Sequence, residues 1–354
     1  MTSPLRARDA GLACGRMEAG VRNSITDVPG VRVGHRTLHH GDIRTGVTAI
    51  VPSASNVYRQ KPVAAAHVLN GFGKSAGLVQ IEELGTIETP LLLTNTLAVG
   101  TCCTALVRHA IRANPDIGRE TATVNPVVLE CNDGFLNDIQ ALAVTEADAA
   151  AALDAASADF ASGAVGAGCG MSAFGFKGGI GISSRRIALD DESFHLGVLV
   201  LANFGRAGDL RLPDGTLVPP PSAVDGETTE KGSVIIIMAT DIPLSDRQLK
   251  RVIRRSGAGL ARLGSFWGHG SGDIALGFTT ANTVLHDERA ALVDQRVLNE
   301  DRIDLLFEAM ADTTQEAVLD ALVAAGPMTG RDGHHRPGLA DTLIQLRSTG
   351  TPRS

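Results

Sequence analysis

The chain has 354 residues, 44% of them hydrophobic and 20% charged, with a formal net charge of −7. That is the composition of a globular protein able to bury a sizeable core, and it excludes a disordered chain. The acidic balance also speaks against nucleic acid or an anionic membrane surface as partner, and the one basic cluster, Lys250, Arg251, Arg254 and Arg255, recurs at helical spacing and reads as a solvated helix face.

In chain order, residues 1–22 are polar and charged without an apolar core of signal-peptide length, and no apolar run approaches the roughly 20 residues of a membrane span. Five cysteines, an odd number with no Cys-x-x-Cys, signal neither a disulfide framework nor a zinc site. A cytoplasmic protein is expected. Runs rich in β-branched residues predict strands over 45–51, 90–94, 124–129, 196–201, 233–240 and 274–278. Helices are predicted over 61–69, 100–113 (stopped by Asn114-Pro115), 146–162 (with Thr145 and Asp148 as a capping box), 246–263 and 300–325. Residues 163–181 are glycine-rich, where backbone must turn sharply or approach something closely. Residues 206–231, with Pro213, Pro219, Pro220 and Pro221, read as a linker that need not divide domains. The reading is an α+β protein folded around a shared core.

Chemistry concentrates where the linker meets the apolar strand, at Gly232-Ser233. A serine hydroxyl beside a glycine carbonyl, between a loose loop and a rigid strand, can attack that carbonyl, since glycine offers no Cβ to block the approach. Opening the bond would make Ser233 an N-terminal residue carrying both a nucleophilic hydroxyl and an amine of reference pKa about 7.7–8.0, suited to act as a base. Gly-Ser at the start of a strand is by itself most often only a turn.

Three other patterns match without their context. Gly73-Lys74-Ser75-Ala76-Gly77 fits a G-x-S-x-G elbow but follows a helix-like segment, and as the end of a phosphate loop its first glycine would fall at Val68. Gly168 to Ala173 fits a dinucleotide fingerprint, yet the glycines after it offer no helix N-terminus to a pyrophosphate. The ten histidines include no H-E-x-x-H and no paired spacing with cysteine or carboxylate, so neither metal nor cofactor is expected.

Four places at strand ends hold together instead: Gly232-Ser233; Gly270-Ser271-Gly272-Asp273; Leu201-Ala202-Asn203-Phe204-Gly205; and Glu130-Cys131-Asn132-Asp133-Gly134-Phe135. With Ile25-Thr26-Asp27-Val28-Pro29-Gly30, Thr45-Gly46-Val47-Thr48, Asn70-Gly71-Phe72-Gly73, Asp133-Gly134-Phe135-Leu136-Asn137-Asp138 and Phe176-Lys177-Gly178-Gly179-Ile180-Gly181, the chain resembles peptidase family S58 over nearly its whole length. These are self-processing hydrolases that include L-aminopeptidase/D-Ala-esterase/amidases and β-aminopeptidases. The resemblance implies a four-layer αββα sandwich like that of N-terminal nucleophile hydrolases but differently connected. It also implies a single catalytic domain, 1–354, cut into 1–232 and 233–354, and a homo-oligomer, commonly a tetramer.

By the same resemblance Ser233 is the nucleophile and Asn203 the oxyanion donor, acting on small peptides, amides or esters. The base is either the Ser233 amine or Ser271 oriented by Asp273. An aminopeptidase also needs a carboxylate for the substrate ammonium; Glu130 is the first choice and Asp133 the alternative. Two positions depart from the pattern and bear on substrate subgroup: Phe135, where D-Ala-active relatives carry Tyr, and Asp273, where β-aminopeptidases have Glu. The competing readings are a related acyltransferase or amide-oligomer hydrolase, whose nucleophile is Thr; an unprocessed scaffold protein; and a hydrolase using Ser75.

Overall fold

The computed structural model describes residues 5–221 and 231–348. Strands β1 (Arg32–His40) and β2 (Ile43–Val51) form an antiparallel hairpin. There follow β3 (Gln60–Gly71), α1 (Leu78–Leu84), β4 (Leu91–Asn95), α2 (Val99–Ala113), β5 (Val127–Cys131) and α3 (Glu146–Asp154). A two-residue ribbon of β6 (Ser172–Ala173) and β7 (Phe176–Lys177) leads into the long hairpin β8 (Gly179–Leu189) and β9 (Glu192–Asn203). Then come β10 (Lys231–Thr240), α4 (Asp246–Ile253), α5 (Ser256–Arg262), β11 (Gly270–Leu285) and α6 (Asp304–Ala324). A second small ribbon, β12 (Met328–Thr329) and β13 (His335–Arg336), precedes α7 (Leu339–Ser348).

One sheet has the order β1-β2-β4-β5 and the other β3-β11-β10-β9-β8. Their inner faces meet in a core that includes Leu91, Leu93, Leu129, Leu199, Leu201, Ile235 and Ile237. Outside the first sheet, Val47, Leu92 and Val128 pack against Cys102 and Leu106 of α2 and Ala152 of α3. Outside the second, Val200, Val234, Ile236 and Met238 pack on Leu249, Leu260 and Val318 from α4, α5 and α6. The result is the αββα sandwich. The run Val234–Ala239 is apolar on both faces because both are covered, alternate residues entering the inter-sheet and the helix-side cores.

Local signals explain several boundaries. Thr145 and Asp148 close the predicted capping box on α3, Ser245 and Gln248 close another on α4, and α2 stops at Asn114 before Pro115. Other expectations are corrected. Residues 61–69 lie in strand β3, not a helix: Val63 and Ala65 enter one core, Ala64 and Ala66 the other, and pairing with β11 overrides the helix preference of alanine. Helix α3 ends at Asp154 instead of 162 because Ser157 exchanges two backbone hydrogen bonds with Val33, 2.9 and 3.0 Å. The helix expected over 246–263 breaks into α4 and α5, and that over 300–325 opens with a 3-10 turn at 300–302. The linker is anchored over 206–221, where Leu210 and Val218 join the core, while 222–230 lie outside the described residues. The basic face is partnered: Lys250 pairs with Glu82, and Arg255 lies 3.6 Å over the Phe307 ring. Among the described residues no helix is long and apolar enough to cross a membrane.

Candidate active site

Three strand ends converge. In register, Ser233 of β10 stands opposite Asn203, the last residue of antiparallel β9, and opposite Gly272 of parallel β11. The first sheet contributes from the end of β5, where the Cys131 thiol donates to the Ser233 carbonyl at 3.4 Å, joining the two sheets directly beneath the junction. Above these ends lies a cavity of about 690 Å³, lined among others by Phe72, Thr96, Glu130, Phe135, Asn203 and Ser233.

The junction requires its glycine. Gly232 has φ +126°, a region closed to L side chains, and a Cβ there would stand 2.0 Å from the Asn203 carbonyl oxygen. The Ser233 hydroxyl donates to the Gly232 carbonyl oxygen at 2.7 Å and accepts the Gly272 N–H at 3.3 Å. Ser271 sits opposite Gly232 in the parallel pair, fully buried, its hydroxyl donating to Asp273 Oδ1 at 2.6 Å. A serine whose proton is so committed keeps lone pairs to accept from a neighbouring hydroxyl.

The Asn203 side-chain amide has a defined direction. Its Oδ1 accepts the Ser172 N–H at 2.9 Å and its Nδ2 donates to the Asn132 carbonyl at 2.9 Å. A primary amide has two N–H donors, so one remains for the cavity that Asn203 lines. Glu130 is buried, with Oε1 accepting the Lys74 N–H at 2.7 Å and Oε2 the Thr96 hydroxyl. These two contacts leave acceptor capacity on a carboxylate that faces the cavity.

Asp133 does not line this cavity. Its Oδ1 accepts from Asn137 at 2.9 Å, and burial raises its pKa from 3.8 to about 7, against the lowering pull of the Thr45 and Asn137 hydrogen bonds and the Lys177 charge. A carboxyl held that high carries less than a full charge at neutral pH and is poorly placed to hold an ammonium. The linkage is checkable. The folded state binds this proton more tightly than the unfolded chain, so its stabilising contribution is full below about pH 4 and is lost as pH rises through about 7. Asp133→Asn should therefore gain in Tm relative to wild type as pH goes from 4 to 8; parallel melting profiles would contradict this.

Phe135 lines the cavity and is held by the C-terminal ribbon: its ring stacks on His334 at 4.7 Å, and the Arg336 guanidinium lies 3.9 Å from its centroid. The structure thus brings Gly232, Ser233, Asn203, Glu130 and Phe135 to one cavity, sets Ser271 and Asp273 behind it in the sheet, and leaves Asp133 outside. Ser75 lies in the β3–α1 loop and does not line it either. Sequence reasoning missed Ser172, Thr96 and Arg336, whose roles depend on long-range pairing. For Ser172 the glycine-rich stretch was the signal: a Cβ at Gly170 would stand 2.1 Å from the Arg44 carbonyl oxygen, and one at Gly178 2.2 Å from that of Ala202.

Two sheets between helical layers, with a serine at the start of a central strand and an amide and carboxylate beside it, define an N-terminal nucleophile type of hydrolase. The chain belongs to peptidase family S58, whose sequence profile matches residues 23–336. It is similar to the beta-peptidyl aminopeptidase BapA of Sphingosinicella microcystinivorans, 37% identical over 93% of this chain and 88% of that one. Among solved structures it is similar to a Burkholderia sp. beta-aminopeptidase (TM-score 0.87, 40% identity, covering 99% of this chain and all of that one). It is likewise similar to the L-aminopeptidase D-Ala-esterase/amidase from Ochrobactrum anthropi (TM-score 0.87, 35% identity, 97% and 99% covered), described as a variant of the Ntn hydrolase fold. The protein is an aminopeptidase, amidase or esterase of the N-terminal nucleophile type.

Proposed function

We propose that the chain cuts itself at Gly232–Ser233 and that the freed Ser233 releases N-terminal residues from small peptides, amides or esters. The observation that carries this reading is the junction itself: a glycine in a conformation only glycine tolerates, its carbonyl in contact with the Ser233 hydroxyl. In processing, Oγ attacks the Gly232 carbonyl carbon, the C–N bond breaks, and the hydroxyl proton passes to the departing Ser233 amine. Water then hydrolyses the ester, leaving 1–232 and 233–354 associated as one catalytic domain. In turnover the same Oγ attacks a substrate carbonyl. The Ser233 amine, or Ser271 held by Asp273, takes the proton and returns it to the leaving group. The tetrahedral oxyanion accepts the free Asn203 N–H, and Glu130 holds the substrate ammonium. A homo-oligomer, a tetramer by family resemblance, and a cytoplasmic location belong to the same proposal.

The test is capture of the acyl-enzyme. After an acid quench during turnover of an amino-acid 4-nitrophenyl ester, the added acyl mass should lie on the 233–354 chain, at Ser233; an adduct at Ser75, or turnover with no adduct on 233–354 at any quench time, overturns the reading. The role of Glu130 is tested separately. Glu130→Gln should lower kcat/KM for free-amine substrates by about 30- to 1000-fold, the cost of losing one partner of a desolvated charge pair. It should leave the matching des-amino ester within a few fold. Equal losses on both would assign Glu130 a purely structural part.

A further inference from the structure

Behind the oxyanion amide lies a cation that the chemistry above does not use. Lys177 is fully buried, and its ammonium spends all three protons on backbone carbonyls: Gly168 at 2.9 Å, Met171 at 2.8 Å and Gly178 at 2.8 Å. Burial among carbonyl dipoles lowers its pKa from 10.5 to about 7, against the raising pull of Cys169 and Asp133, and is a costly arrangement for mere packing. The Met171 carbonyl belongs to the same peptide unit as the Ser172 N–H, and that N–H donates to Asn203 Oδ1 at 2.9 Å. A single chain of hydrogen bonds thus runs from the ammonium through the Met171–Ser172 peptide to the amide of Asn203, a residue that lines the cavity. Each link polarises the next in the same sense, drawing electron density towards Lys177 and leaving the terminal N–H a stronger donor.

The same residue also fixes the geometry. Lys177 faces Ser172 across the β6–β7 ribbon, its own N–H donates to the Pro337 carbonyl at 2.9 Å, and the Gly178 N–H donates to Met171 O at 2.9 Å. The turn that presents the Ser172 N–H is therefore built around this one ammonium.

We propose that Lys177 is a positioning residue of the oxyanion hole, aiming and polarising the Asn203 amide through the Met171–Ser172 peptide so that charge developing on the tetrahedral oxyanion is stabilised. This rests on the reading of Ser233 and Asn203 given above.

The test is a double-mutant cycle on the full chain, with rates expressed per mole of chain whose split is verified by mass. Lys177→Met should lower kcat about 10- to 100-fold with KM within about threefold, because the donor acts on the transition state. In an Asn203→Ala background the same change should cost less than about threefold, since the group through which it acts is gone. A loss as large in that background as in wild type, or an unchanged kcat in Lys177→Met, overturns the proposal. If Lys177→Met does not fold, Ser172→Pro removes the linking N–H while leaving the ammonium in place, at the first residue of a strand where proline is tolerated. Its kcat should fall alike and show the same non-additivity, and full additivity with Asn203→Ala overturns the link. Failure of the underlying reading looks different: Asn203→Ala would then itself leave kcat unchanged.

Discussion

Ser233→Ala should stay a single 354-residue chain and lose turnover by roughly a millionfold, the scale seen when a serine hydrolase loses its nucleophile. Both effects follow from one atom. Oγ lies against the Gly232 carbonyl, and among the described residues the other candidates at the junction are engaged: Ser271 is committed to Asp273, and Cys131, whose thiol faces the Ser233 carbonyl, has its pKa driven well above 9 by burial. The folded state should survive the change, because among the described residues the Ser233 side chain hydrogen-bonds to backbone groups of Gly232 and Gly272 while the β10 core residues are untouched. A Tm within a few degrees of wild type, together with loss of both cleavage and activity, is the expected pattern. Residual activity above about one part in a thousand would assign the nucleophile elsewhere.

Asn203→Ala should lower kcat by about 10²–10³ with little change in KM, because its free N–H meets charge that exists only in the tetrahedral state. Its two fixed partners, the Ser172 N–H and the Asn132 carbonyl, aim that donor before substrate arrives, and a preorganised dipole costs nothing to reorient during reaction. Self-cleavage should slow as well if the Gly232 oxyanion uses the same donor. Intact-mass time courses would show unsplit chain accumulating early and splitting slowly. A variant that loses KM but keeps kcat would place Asn203 in ground-state binding instead.

What could be read from sequence was whatever is local. The capping box at Thr145, the stop at Asn114-Pro115 and the apolar run 234–239 carry their structural meaning in a few adjacent residues. Residues 61–69 mislead because alanine favours helix, and only pairing with β11, some 200 residues later, decides for strand. The site divides in the same way. Ser233, Asn203, Glu130 and the 270–273 segment were legible because each lies near the start or end of a strand and family motifs attach to them. Lys177 and Ser172 were not, since their partners are main-chain carbonyls and an amide brought together by glycine turns, which leave no side-chain pattern to read. The sequence ranks Glu130 ahead of Asp133 as the ammonium carboxylate, and cavity geometry with the raised pKa of Asp133 gives that order a physical reason.

The central claim is most directly tested by the intact mass of the purified wild-type chain under denaturing conditions, with the N-terminal residue of each species identified. The account predicts two species dividing between Gly232 and Ser233, the smaller beginning at Ser233 with a free amine. A single unsplit chain that nevertheless hydrolyses aminopeptidase substrates would contradict it.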